Sequence, residues 1–60
     1  MELWIARDKN GTLKLWFNKP VKQKYQFYNN DGFFILDEKL FPEVTFENSP
    51  QKVKLELIKE

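Results

Sequence analysis

The strongest constraint on the fold is a period of two. Leu3 and Ile5 fall on one side of residues 2–7, with Trp4 and Ala6 on the other. Over residues 12–18, Leu13, Leu15 and Phe17 alternate in the same way with Lys14 and Trp16. Side chains that repeat every second residue define the two faces of a β-strand, and a helix cannot sort them that way. Between the runs stands Asp8-Lys9-Asn10-Gly11, where Asn and Gly tolerate the positive φ of a tight reversal. The pattern predicts a strand, a turn and an antiparallel strand.

Asn18-Lys19-Pro20 ends the second run, because proline has no N–H to give to a ladder. Residues 24–28 alternate again, and Asn29-Asn30-Asp31-Gly32 repeats the turn chemistry. Phe33-Phe34-Ile35-Leu36 is apolar on both faces, which predicts a central or doubly covered strand. Asp37 is placed to cap a short helical turn near residues 37–41, which Pro42 would stop. Val44-Thr45-Phe46 reads as a short extended run, and residues 52–58 as a last strand with Val53, Leu55 and Leu57 on one face. No stretch has the length and period of an amphipathic helix. The expectation is one all-β domain over residues 1–60, an antiparallel sheet of about five strands, curled or closed into a small barrel. In such a fold the stretch LFPEVTFENSP, residues 40–50, is architectural. Leu40 and Phe41 would plug the open mouth of the core, and Pro42 and Pro50 would fix the path of the chain.

Composition narrows the chemistry. With no cysteine and no histidine there is no thiolate, no disulfide, no imidazole base and no imidazole ligand. Ser49 is the single serine, and the two glycines sit in separate turns, so no phosphate-cradling loop exists. Asp8-Lys9-Asn10-Gly11 leads straight into Thr12-Leu13-Lys14-Leu15 and lacks the later ligands of a calcium loop. Asp37 with Glu38, or Glu43 with Glu47, could pair as acids, but so small a sheet leaves little room for a cleft that raises one pKa. The reading is a non-enzyme with no cofactor and no metal. No run approaches the roughly 18 apolar residues of a membrane span, and no signal-like segment opens the chain, so a cytoplasmic location is expected.

IARDKNG at residues 5–11, LFPEVTFENSP at 40–50 and the tail KVKLEL at 52–57 resemble a set of very short proteins of gut-associated Bacteroidetes and of bacteriophages or prophages. The resemblance implies an all-β fold and an accessory, mobile-element origin. No activity is assigned to that set, so no functional residue carries over.

Binding is the class that survives. Ordering 60 residues costs about 90 kcal/mol. Burying about 6,000 Å², somewhat over half of it apolar, contributes about 90 kcal/mol in return. A balance this even favours an aromatic-rich core or a second copy of the chain, and the ten aromatic residues suit both. Trp4 and Trp16 share the face opposite Leu3, Ile5, Leu13 and Leu15. If that face looks outward they form an apolar patch, and such patches mark interfaces. The leading expectation is a protein-interaction module, with a homodimer as its form and Trp4, Arg7, Trp16 and Tyr28 as contacts, Arg7 being the polar anchor. The alternative rests on charge. Residues 1–28 hold six basic and two acidic side chains, and residues 29–60 hold four and seven. A basic half interleaved with aromatics could bind single-stranded nucleic acid through Lys14, Trp16, Lys22, Lys24, Tyr25 and Tyr28. A net charge of +1 and a single arginine weigh against it.

Overall fold

The computed structural model describes residues 2–58. It contains six strands: β1 (Glu2–Arg7), β2 (Leu13–Trp16), β3 (Val21–Lys22), β4 (Phe27–Tyr28), β5 (Phe33–Leu36) and β6 (Gln51–Lys54). Four of them form an antiparallel sheet in the order β5-β2-β1-β6, and β3 and β4 form a separate two-stranded ribbon. No helix occurs among the described residues. The all-β expectation holds. The sheet is open, because its outer strands β5 and β6 do not pair, so the barrel alternative is not realised.

The β1–β2 hairpin follows from its turn. Gly11 N–H donates to Asp8 O at 2.9 Å, and Asp8 N–H donates to Thr12 O at 2.8 Å. Gly11 alone in this turn takes a positive φ, +99°, while Asn10 Oδ1 accepts the Thr12 N–H at 3.0 Å. This is a tight turn followed by a left-handed glycine, a geometry whose twist matches that of the flanking strands. It sets Trp4 opposite Trp16 and Ile5 opposite Leu15. The second turn uses the same chemistry, with Gly32 at φ +86° and Asn29 Oδ1 accepting the Asp31 N–H. It does not make a hairpin. β4 pairs with β3 and β5 with β2, so this turn joins two different sheets.

Both faces of the central strands are covered. On the first, Ile5 and Leu13 pack with Val44, flanked by Leu15, Leu36 and Val53. On the second, Ala6, Trp16 and Phe27 pack together, flanked by Trp4 and Phe46. Phe27 comes from the ribbon, which lies across the second face. The 37–50 segment supplies both Val44 and Phe46, and so reaches the first face and the second. Double cover explains why β1 and β2 are apolar on both sides.

Several expectations change. β5 is an edge strand, not a central one, and Phe33, Phe34 and Ile35 are exposed. Its two-faced apolar character gave the opposite impression, but the covering segments sit over β1 and β2 and extend no further. The plug is Val44, 2% exposed, whereas Leu40 and Phe41 leave nearly half of their surface in water. Residues 37–40 form a hydrogen-bonded turn, Leu40 N–H to Asp37 O at 3.0 Å, in place of helix. Asp37 does cap it, since its Oδ1 accepts the Lys39 N–H at 2.9 Å. Residues 44–46 are not a strand, residues 24–26 form the turn of the β3–β4 ribbon, and the last strand stops at Lys54.

Candidate interaction surface

Two intramolecular clamps build the surface, and the first is Arg7. Its side chain lies on the first face of β1 and reaches over the turn-rich 37–44 segment. Nε donates to Val44 O at 2.6 Å. Nη1 donates to Gly11 O at 2.8 Å and to Glu38 O at 3.0 Å. Nη2 donates to Leu40 O at 2.9 Å and to Phe41 O at 3.1 Å. All five guanidinium protons are committed, each to a backbone carbonyl. The planar fork fixes directions as well as distances, and a charged donor makes each bond stronger than an amide would. Phe41 is held at φ +48°, a region costly for a residue with a Cβ, while its carbonyl accepts from both Arg7 and the Val44 N–H. Arg7 is therefore a strap-holder within the chain. With no proton left to donate, it is not the partner anchor that the sequence suggested.

The strap is also braced from within. Thr45 N–H donates to Asn48 Oδ1 at 2.7 Å, and Asn48 Nδ2 donates to Glu43 O at 2.8 Å. The Ser49 hydroxyl donates to Thr45 O and accepts the Arg7 backbone N–H at 3.0 Å. The serine of LFPEVTFENSP thus completes the edge of β1 where β6 has not yet begun, and the asparagine holds the strap's own turn. The stretch is architectural, through residues other than the expected pair.

Asp8 is the second clamp. It is buried; one carboxylate oxygen accepts the Phe27 N–H at 3.0 Å, and the other meets Lys14 Nζ at 2.8 Å. Lys9 N–H adds a bond to Tyr25 O at 2.9 Å. These contacts seat the ribbon on the second face and bring Phe27 onto Trp16. Lys14 is drawn into the structure, with its ammonium also 4.4 Å from the centre of the Phe33 ring.

These clamps decide which expected contact residues face water. Trp16 is 1% exposed and is core, because Phe27 and Phe33 lie against it; the rings of Trp16 and Phe33 are 4.9 Å apart. Trp4 is half-buried, with Lys19 and Lys52 ammonium groups 5.4 and 5.5 Å from its ring. Tyr28 is exposed, and its hydroxyl meets Asn30 Oδ1 at 2.8 Å. Of the alternative nucleic-acid set, Lys22, Lys24, Tyr25 and Tyr28 share the ribbon and its turn, whereas Lys14 and Trp16 are held in the packed body.

The largest accessible apolar strand went unrecognised in the sequence. β5 exposes Phe34 at 58% and Ile35 at 69%, and Phe17 extends the patch by an edge-on contact with Phe34, ring centres 5.5 Å apart. The signal was present as Phe33-Phe34-Ile35-Leu36, but it pointed to burial. Among the described residues no three or more Asp, Glu, Cys or His side chains gather as a metal site, and no helix is long and apolar enough to cross a membrane. Comparison with protein-family models, curated proteins and solved structures finds no match to this chain.

Proposed function

We propose that the chain is a non-enzymatic protein-interaction module whose first partner is a second copy of itself. One observation carries this reading: β5 is an unpaired edge strand with apolar side chains exposed on both of its faces. An edge of this kind presents free N–H and C=O groups beside surface that water solvates poorly, and pairing with another strand satisfies both. Sedimentation equilibrium from about 5 to 500 μM tests it, since weak complexes dissociate in the micromolar range. Mass should rise with concentration toward twice the chain mass. A constant monomer mass would reject self-association.

The second reading is single-strand nucleic-acid binding by the ribbon. It is favoured by Tyr25 and Tyr28, both exposed, with the Lys9 and Lys24 ammonium groups 5.6 and 5.3 Å from the Tyr25 ring. The Lys22 ammonium is instead turned onto Phe46, 4.5 Å from its ring. Stacking on two rings beside two ammonium groups supports weak, strongly salt-dependent binding. Titrating an oligothymidine at low salt distinguishes the two. Unchanged tyrosine emission and unchanged amide shifts over residues 21–28 would eliminate the nucleic-acid reading.

A further inference from the structure

We infer that two copies join through their β5 edges, antiparallel, about a two-fold axis at Ile35, to give one continuous eight-stranded sheet. This rests on the self-association proposed above and names the surface and its register. The derivation starts at the first turn. Asp8 and Thr12 continue the β1–β2 register and are joined by a backbone hydrogen bond. Hydrogen-bonded and non-bonded pairs alternate along an antiparallel ladder. Leu13 and Leu15 therefore turn their backbone groups away from β1, toward Leu36 and Phe34 of β5. The same alternation turns the Arg7 N–H away from β2, and it is found on Ser49 Oγ, as it must be. On β5 the consequence is that Phe33 and Ile35 direct their N–H and C=O groups out of the free edge.

A second β5 can accept those groups only in registers that match outward residues with outward residues. Every such register keeps the faces in step, so Phe34 and Leu36 of each copy share one face while Phe33 and Ile35 share the other. Overlap and charge select among them: centring on Phe33 or Leu36 sets only one β5 residue across from β5, which leaves Phe34 and Ile35 as possible centres. Centring on Phe34 would set Asp31 across from Asp37 twice, and like charges directly opposed are unfavourable. Centring on Ile35 sets Phe34 across from Leu36 and Ile35 across from its own copy, with no like pair near the axis.

The other edge opposes growth beyond two copies. On β6 the outward positions are Lys52 and Lys54, both exposed, and lysine on an edge strand opposes pairing. β5 itself carries no charge between Phe33 and Leu36. A two-fold interface uses each β5 once and leaves a lysine-bearing β6 at each end of the joined sheet, which opposes its further growth. Phe17, Phe33, Phe34 and Ile35 each leave on the order of 100 Å² in water, so pairing the edges covers less than about 400 Å² per copy. That falls below the roughly 800 Å² per partner of a standard stable complex, so a reversible dimer is expected.

The test uses Ile35→Lys and Ile35→Glu. At 69% exposure the site accepts either side chain in the monomer, and circular dichroism checks the fold. Each variant alone places like charges across the axis, and dimerisation should weaken at least about tenfold against the parent chain. Mixed in equal amounts, the two should associate again, because an ammonium on one copy would then oppose a carboxylate on the other. If both variants alone dimerise like the parent, the β5 edge is the wrong surface while self-association stands. If each is monomeric but the mixture does not associate, the axis at Ile35 is wrong. A parent chain that is monomeric throughout removes this inference and the self-association reading together.

Discussion

Replacing Arg7 tests whether one side chain holds the 37–44 strap against the sheet. Alanine removes five hydrogen bonds from a charged donor. Such bonds contribute about 1.5–3 kcal/mol each when counted singly, and they do not add. The Glu38, Leu40 and Phe41 carbonyls lie at exposed positions, where water can replace the guanidinium. The Val44 and Gly11 carbonyls are partly buried and lose more. Two bonds at nearly full value and three at a fraction, taken at the low end because all five share one group, give about 3–4 kcal/mol. A 60-residue domain has a total stability of about 3–9 kcal/mol, so Arg7→Ala should be largely unfolded or close to it. Arg7→Lys keeps the charge and the stem, but an ammonium has three protons at one point and cannot span five carbonyls, so about 2 kcal/mol is lost. Urea unfolding followed by tryptophan emission reads this directly. With a slope of about 1 kcal/mol per M, the lysine variant should shift the midpoint down by about 2 M. Midpoints within about 0.3 M of the parent for both variants would refute the clamp, as would full rescue by lysine, which would reduce the role of the side chain to its charge.

Three further outcomes follow from the same contacts. Asp8→Asn keeps the acceptor for Phe27 N–H but loses the Lys14 ion pair, and should cost about 1–2 kcal/mol against about 3 kcal/mol for Asp8→Ala, measured by thermal unfolding. Equal losses would show that only the ion pair matters. Phe41→Gly should be more stable than Phe41→Ala by about 1 kcal/mol, because glycine adopts φ +48° without the Cβ clash; the reverse order in urea midpoints contradicts the strained backbone. The Lys52 ammonium hydrogen-bonds the Glu2 carboxylate and, by that bond first and its charge second, holds the Glu2 carboxyl below its ordinary value. A lowered folded-state pKa means that this contribution is present above the unfolded pKa and is lost as pH falls through the folded one. Carbon-detected NMR should show the Glu2 midpoint moving up in Lys52→Met; an unmoved midpoint in the variant excludes Lys52 as the cause.

Much of the fold was legible because it is local. The β1–β2 hairpin follows from alternation and from one glycine, both contained within residues 2–18. The start and end of β5 were visible in four consecutive apolar residues, and the cap at Asp37 in its own turn. The candidate surface was far less legible. Whether Trp16 faces water depends on Phe27, eleven positions away in sequence and brought over it by a carboxylate at position 8. Whether β5 is central depends on how far the ribbon and the strap extend across the sheet, which no pattern within β5 encodes. Arg7 carried a faint signal as the only arginine among ten basic residues, but nothing near it in sequence names the five carbonyls it holds.

By itself the sequence determined strand against helix, the position of the first reversal, and the absence of the side chains that do nucleophilic and imidazole chemistry. These depend on steric preference and composition, which act over a few residues or none. Tertiary structure alone decided which apolar faces are covered. Cover is a property of segments that meet across about 10 to 40 positions, and a phenylalanine has the same preference for shelter whether or not the chain has enough length left to provide it.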